Sequence, residues 1–102
     1  MTRRCVLAPQ AARDLVQIWR YVKREVGREA ADRVESTNRT KCVYLASFPG
    51  AGHWPHDLTS AGVRFFSVYS YLIVYRPETK PLQVVTILHG SRDVAEILSE
   101  GL

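Results

Sequence analysis

Four side chains in the second half of the chain could act on a phosphodiester: Arg64, Arg76, His89 and Arg92. When RNA is cut by its own 2′-hydroxyl, one group must accept that proton and another must protonate the leaving oxygen. A cation must also stabilise charge on the phosphate. Arg64 and Arg76 could grip a phosphate bidentately. His89 could carry a proton near neutral pH. Each also has a simpler structural reading. The two arginines fall in strand-like segments, where they can face solvent or pair with acids. His89 precedes Gly90, where an imidazole can hold a turn. Arg92 and Asp93 can belong to a local helix start.

Other constellations are weaker. His53 and His56 flank Trp54-Pro55, but only Asp57 joins them, so they read as solvated loop histidines and no metal site is expected. Cys5 and Cys42 have no CxxC or Cys/His spacing. One bridge between them is conceivable, but both sit in apolar patterns and read as buried thiols of a reducing cytoplasm. No pattern implies a cofactor.

The charge balance points to partners. The chain has 102 residues, with 14 Lys and Arg against 10 Asp and Glu, a formal net charge of +4 and a pI near 9.4. That is either a mixed solvated surface or one that meets an acidic partner. Arg20, Lys23 and Arg24 are the densest basic group, and Trp54, on a loop, is a candidate anchor. No apolar run approaches the ~18 residues of a membrane span, and no signal-like segment opens the chain. A single cytoplasmic domain over residues 1–102 is the expectation.

The elements that must position these groups follow from periodicity. Residues 4–7 read as a short strand, broken by Ala8-Pro9. Over 10–26, Ala12, Leu15, Ile18, Trp19, Val22 and Val26 recur at helical spacing, opposite Arg13, Asp14, Gln17, Arg20, Lys23 and Arg24. Trp19 reads as core, and Gly27 ends the helix. A second helix is predicted over 28–47, with Ala31, Val34, Cys42 and Leu45 on one stripe and a polar middle at 36–41. Residues 49–62 form a loop. Strands follow over 63–68 and 71–76, turning at Tyr69-Ser70, and then over 83–88 after a Pro-bounded loop at 77–81. Ser91 can cap a last helix over 92–99.

The order β-α-α-β-β-β-α predicts a two-layer α+β domain: a helical hairpin on an antiparallel sheet, with the opening strand beside the last one. The 63–76 hairpin is apolar on both faces: Val63, Phe65 and Ser67 alternate with Arg64, Phe66 and Val68. Either a partner or the last helix, through Val94, Ile97 and Leu98, covers the face that the helical hairpin leaves.

This order, and several segments within it, resemble the RelE/ParE toxin–antitoxin superfamily, and its ParE branch in particular. The resemblance rests on Leu7-Ala8-Pro9-Gln10-Ala11-Ala12, Asp14-Leu15, Ile18-Trp19-Arg20-Tyr21 and Ala30-Ala31-Asp32-Arg33. It continues through Phe48-Pro49-Gly50-Ala51-Gly52, Arg64, Tyr71-Leu72-Ile73-Val74-Tyr75-Arg76 and Leu88-His89-Gly90-Ser91-Arg92-Asp93. It spans almost the whole chain, and the combination in order is specific. The polar stretch at 36–41 departs from the pattern, as does Tyr69-Ser70, where a glycine is common.

The resemblance implies a type II toxin of the plasmid-stabilisation kind, held by an antitoxin similar to ParD. ParE-type members inhibit DNA gyrase and block replication; RelE-type members cut mRNA on the ribosome. A toxin-derived module retained only as an antitoxin partner is a third reading. Nuclease members use a basic cluster plus a late Tyr or His. Here no Tyr follows Tyr75, and residues 49–62 contain no Lys or Arg. The expectation is therefore a non-enzymatic inhibitor of gyrase without specific nucleic-acid binding. The resemblance also implies an acidic antitoxin segment that folds on the toxin, laying an apolar face beside the helices or adding a strand to the sheet. Its carboxylates would meet Arg20, Lys23 and Arg24. Trp54, Phe66 and Arg76 complete the candidate contact residues for antitoxin or target.

Overall fold

A computed structural model of the chain describes residues 4–53 and 62–89. Trp54, His56, Arg92, Asp93 and the helix expected over 92–99 lie outside these residues. Within them the order is β1 (Cys5–Leu7), α1 (Pro9–Glu25), α2 (Arg28–Ser47), a 3-10 turn (Pro49–Ala51), β2 (Arg64–Val68), β3 (Tyr71–Arg76) and β4 (Leu82–His89). The sheet order is β1-β4-β3-β2. β2, β3 and β4 pair antiparallel, whereas β1 runs parallel to β4 with Leu7 opposite Val84. The sheet is therefore mixed, not wholly antiparallel. Parallel neighbours need a crossover, and the helical hairpin lies within the connection that supplies it.

α1 starts at Pro9, whose missing N–H costs nothing in a first turn. Its buried stripe is Ala11, Leu15 and Val22, with Ile18 partly buried. Ala12 faces outward and Val26 is 74% exposed, contrary to the expected stripe. Ala12 lies one residue, about 100°, off the stripe, and Val26 lies past the last helical residue. Trp19 is half-buried, and its indole N–H donates to Asp32 Oδ1 at 2.8 Å, joining the two helices at their rim. Gly27 donates its N–H to the Val22 carbonyl and has φ 145°, a conformation that side chains disfavour. One residue thus ends α1 and opens α2.

α2 runs unbroken through its polar middle. Asn38 takes the core-facing position there, 0% exposed, with Nδ2 bonded back to the Val34 carbonyl at 2.9 Å. This local bond keeps a weak helix former in place. Cys42, Leu45 and Ala46 continue the buried face. Both cysteines are free thiols; Cys42 is buried as expected, but Cys5 only half.

The main core lies between helices and sheet: Ala11, Leu15, Cys42 and Leu45 meet Val68, Tyr71, Ile73, Tyr75, Leu82, Val84 and Ile87. Each large aliphatic side chain buried there contributes about 1.5–3 kcal/mol. The opposite face of the sheet is also buried, as a second cluster of Val63, Phe65, Val74 and Leu88. The last helix, one of the two covers expected for this face, lies outside the described residues. No helix among the described residues is long and apolar enough to cross a membrane.

Candidate functional site

The register decides which candidate residues meet. Arg64 stands opposite Tyr75, and Arg76 opposite Gln83. His89 stands opposite Tyr71, at the other end of β3. Four to five residues of strand separate the two ends, roughly 13–17 Å. Strand alternation also divides the arginines: Arg64 shares the helix-side face with Tyr75, and Arg76, the next residue of β3, points to the other face. The proposed phosphate grip and proton carrier are therefore not brought together. Arg92, the fourth candidate, lies outside the described residues.

Arg64 has a definite structural task. Its Nη1 donates to the Gly52 carbonyl at 2.9 Å and to the Gly50 carbonyl at 3.5 Å. The fully buried Tyr75 holds the same turn: its hydroxyl donates to the Pro49 carbonyl at 2.7 Å and accepts the Gly52 N–H at 2.9 Å. Burial pushes the Tyr75 phenol above its ordinary range. A Cβ on Gly52 would run into the Tyr75 hydroxyl and lie 2.7 Å from the Phe65 carbonyl, so only glycine fits. His53 then pairs with Phe65 through two backbone bonds, at 2.7 and 2.9 Å, and lies on the rim of the sheet.

His89 borders a groove of about 290 Å³ lined by Asp14, Gln17, Ile18, Tyr21, Tyr71 and Ile87. Its ring meets Tyr71 edge-on at 5.5 Å. Burial raises the Tyr71 phenol, and nearby Tyr21 adds to this. Asp14 was expected on the solvent face of α1 but turns to the sheet instead. Its Oδ2 accepts the Ile87 N–H at 3.0 Å and the Thr86 hydroxyl, and its Oδ1 accepts from Gln10 Nε2 at 2.8 Å. The cause is the shortness of β1, which ends opposite Val84 and leaves the next part of the β4 edge open. The carboxylate completes that edge. Sequence patterning gives no sign of this, because an acid beside the apolar stripe also fits a solvated position.

Two surfaces remain as contact candidates. On α1, Arg20, Lys23 and Arg24 share one exposed face at spacings of three and four residues. Lys23 Nζ sits 5.0 Å from the Trp19 ring, and the Arg24 guanidinium is 5.8 Å from the ring of Tyr21. Tyr21, which also lines the groove, joins the basic face to it. The second surface was only partly foreseen. Phe66 packs on Tyr44 at 5.9 Å, and Tyr44 packs on Phe48 at 5.1 Å. Tyr44 and Phe48 are 41% and 58% exposed. Helical spacing of Tyr44 and Phe48 signals half of this aromatic patch; Phe66 joins through tertiary packing. Arg76 belongs to neither surface, and Trp54 lies outside the described residues. No group of three His, Cys, Asp or Glu among the described residues could hold a metal ion.

Fold and site together define a small α+β domain with a basic helix face and an exposed aromatic patch. Among the described residues, His89 stands apart from Arg64 and Arg76. The family model for the ParE toxin of type II toxin–antitoxin systems, parDE, matches residues 5–94. The chain belongs to this toxin family. Among solved structures, 9 chains match significantly. One is described as a chromosomal ParDE TA system from P. aeruginosa, with 22% identity and a TM-score of 0.72 over 86% of this chain and 96% of that one. At that identity the likeness establishes the shared fold. No curated protein matches at a significant level.

Proposed function

We propose that this toxin acts in the cytoplasm by binding DNA gyrase and blocking replication without cutting RNA, and that an antitoxin similar to ParD neutralises it. Family membership supports the first half, since the model that matches is that of ParE toxins. The observation that carries the non-catalytic half is the register that sets His89 at one end of the sheet and Arg64 and Arg76 at the other, on opposite faces. General acid–base cleavage needs such groups within hydrogen-bond reach of one phosphate.

The antitoxin reading draws on the described P. aeruginosa ParDE structure and on the basic face of α1. An acidic amphipathic segment fits beside Arg20, Lys23 and Arg24, with apolar side chains toward Tyr21 and the groove. Purified toxin should inhibit gyrase supercoiling, and the product of an adjacent antitoxin frame should reverse the inhibition. Unimpaired supercoiling at saturating toxin would remove the gyrase target. Toxin that binds that antitoxin but arrests no growth would support a module retained without activity.

A further inference from the structure

One side of α2 carries positive charge and aromatic rings in a single line. Arg33, Thr37, Lys41, Tyr44 and, at the helix end, Phe48 fall within about 80° of one another around the axis and extend over roughly 22 Å. Phe66 joins the line from β2, its ring tilted by 46° against Tyr44. Tyr44 and Phe48 are tilted by 37° and both remain exposed, so their faces are not sealed against each other. Lys41 Nζ lies 5.7 Å from the centre of the Tyr44 ring. The one acid between residues 33 and 48 is Glu35, which lies on the far side of the helix and pairs with Arg39 at 3.6 Å. We propose that this line is a platform for single-stranded DNA, in which Tyr44, Phe48 and Phe66 stack on bases and Arg33 and Lys41 hold phosphates.

The chemistry of the line favours an unpaired polynucleotide over a protein segment. An amphipathic helix docks through its apolar face into a hydrophobic groove. Here rings and cations alternate with one hydroxyl, that of Thr37, and no aliphatic side chain lies among them. Bases of a single strand have open faces that stack on aromatic rings, and its phosphates supply the negative charge that Arg33 and Lys41 complement. In a duplex the bases are already stacked on one another, which leaves the rings nothing to receive. Stacking accepts every base, so the contact carries no sequence preference. The choice of DNA over RNA rests on the gyrase reading, since gyrase works on DNA; the binding itself needs no gyrase.

The test is fluorescence anisotropy of a labelled oligo-dT of about 12 nucleotides, titrated with the purified full chain at several salt concentrations in the absence of gyrase. The oligonucleotide should bind at low salt. The logarithm of the association constant should fall against that of the salt concentration with a slope of about −1.4, as two neutralised phosphates require. Tyr44→Ala and Phe48→Ala should each weaken binding about fivefold or more. Arg33→Gln, at an exposed helix position, should reduce the slope by about 0.7. Circular dichroism checks the fold of each variant, and if an alanine variant unfolds, Arg33→Gln decides. No binding at low salt, alanine variants that bind as well as the unsubstituted chain, or a slope that Arg33→Gln leaves unchanged would each overturn the platform. So would tighter binding of a duplex of the same length, or an acidic peptide that binds where the oligonucleotide does not. An oligo-U bound tenfold more tightly than oligo-dT would overturn the assignment to DNA. Because gyrase is absent from the titration, these failures are distinct from a failure to inhibit supercoiling.

Discussion

At the scale of single residues, two polar side chains tie the fold together where backbone pairing stops. Tyr75 closes the turn after α2 with two hydrogen bonds from inside the core. Tyr75→Phe should therefore lower the free energy of unfolding by about 1–3 kcal/mol, because the Gly52 N–H and Pro49 carbonyl lose a buried partner. Urea unfolding measures this directly. Asp14 satisfies the β4 edge beyond β1, and Asp14→Ala should cost a similar amount, about 1–3 kcal/mol. A loss below 0.5 kcal/mol in either variant would mean that water replaces the bonds. The buried phenols also set an alkaline limit. Tyr71 and Tyr75 have pKa values raised above 10.0 in the folded state, so the folded chain holds protons that the unfolded chain releases. Stability should be unaffected by these groups below about pH 10 and should fall as pH rises beyond it, through their folded pKa values. Tyr75→Phe should flatten that fall; an equally steep decline in the variant would assign it elsewhere. None of these roles was legible beforehand. Asp14 sits among charged neighbours on α1, and Tyr75 reads as one more apolar strand residue. Only the tertiary arrangement shows what each side chain completes.

At the scale of elements, the sequence was far more informative. Proline, glycine and the switch from a 3.6-residue to a two-residue period place both helices and all three hairpin strands within a residue or two. The polar middle of α2 hid the buried Asn38, since composition does not reveal a side chain bonded to its own helix. The parallel seat of β1 was also hidden, because a three-residue strand carries no directional signal. So was the irregularity between Val74 and Tyr75 in their pairing with β4, which leaves Val85 without a partner on β3. One local conflict was visible in both views. Tyr69 opens a two-residue hairpin turn and adopts φ 55°, which a β-carbon disfavours. Tyr69→Gly should raise stability by about 1 kcal/mol, an effect readable as a higher urea midpoint at unchanged slope. A lower midpoint would show that the contact of the Tyr69 hydroxyl with Thr37, at 3.4 Å, outweighs the backbone strain.

At the scale of the whole molecule, strand register sets His89 at the far end of the sheet from Arg64 and Arg76, and the fold exposes a basic helix beside a groove. Charge reversal at Arg20 and Lys23 should slow antitoxin association at least tenfold at low salt, and less at high salt, as steering is screened. An unchanged association rate would move the contact to the aromatic patch of Tyr44, Phe48 and Phe66. The family was legible from segments spread along the chain. The separation of His89 from Arg64 and Arg76 was not, because strand register, not residue type, decides whether His89 meets the arginines. The most direct measurement runs two reactions side by side with pure toxin: gyrase with supercoiled DNA, and translating ribosomes with a defined mRNA. Double-strand breaks trapped on gyrase, with intact message, are the expected result. Message cut on the ribosome, with gyrase turning over normally, would contradict inhibition by adhesion.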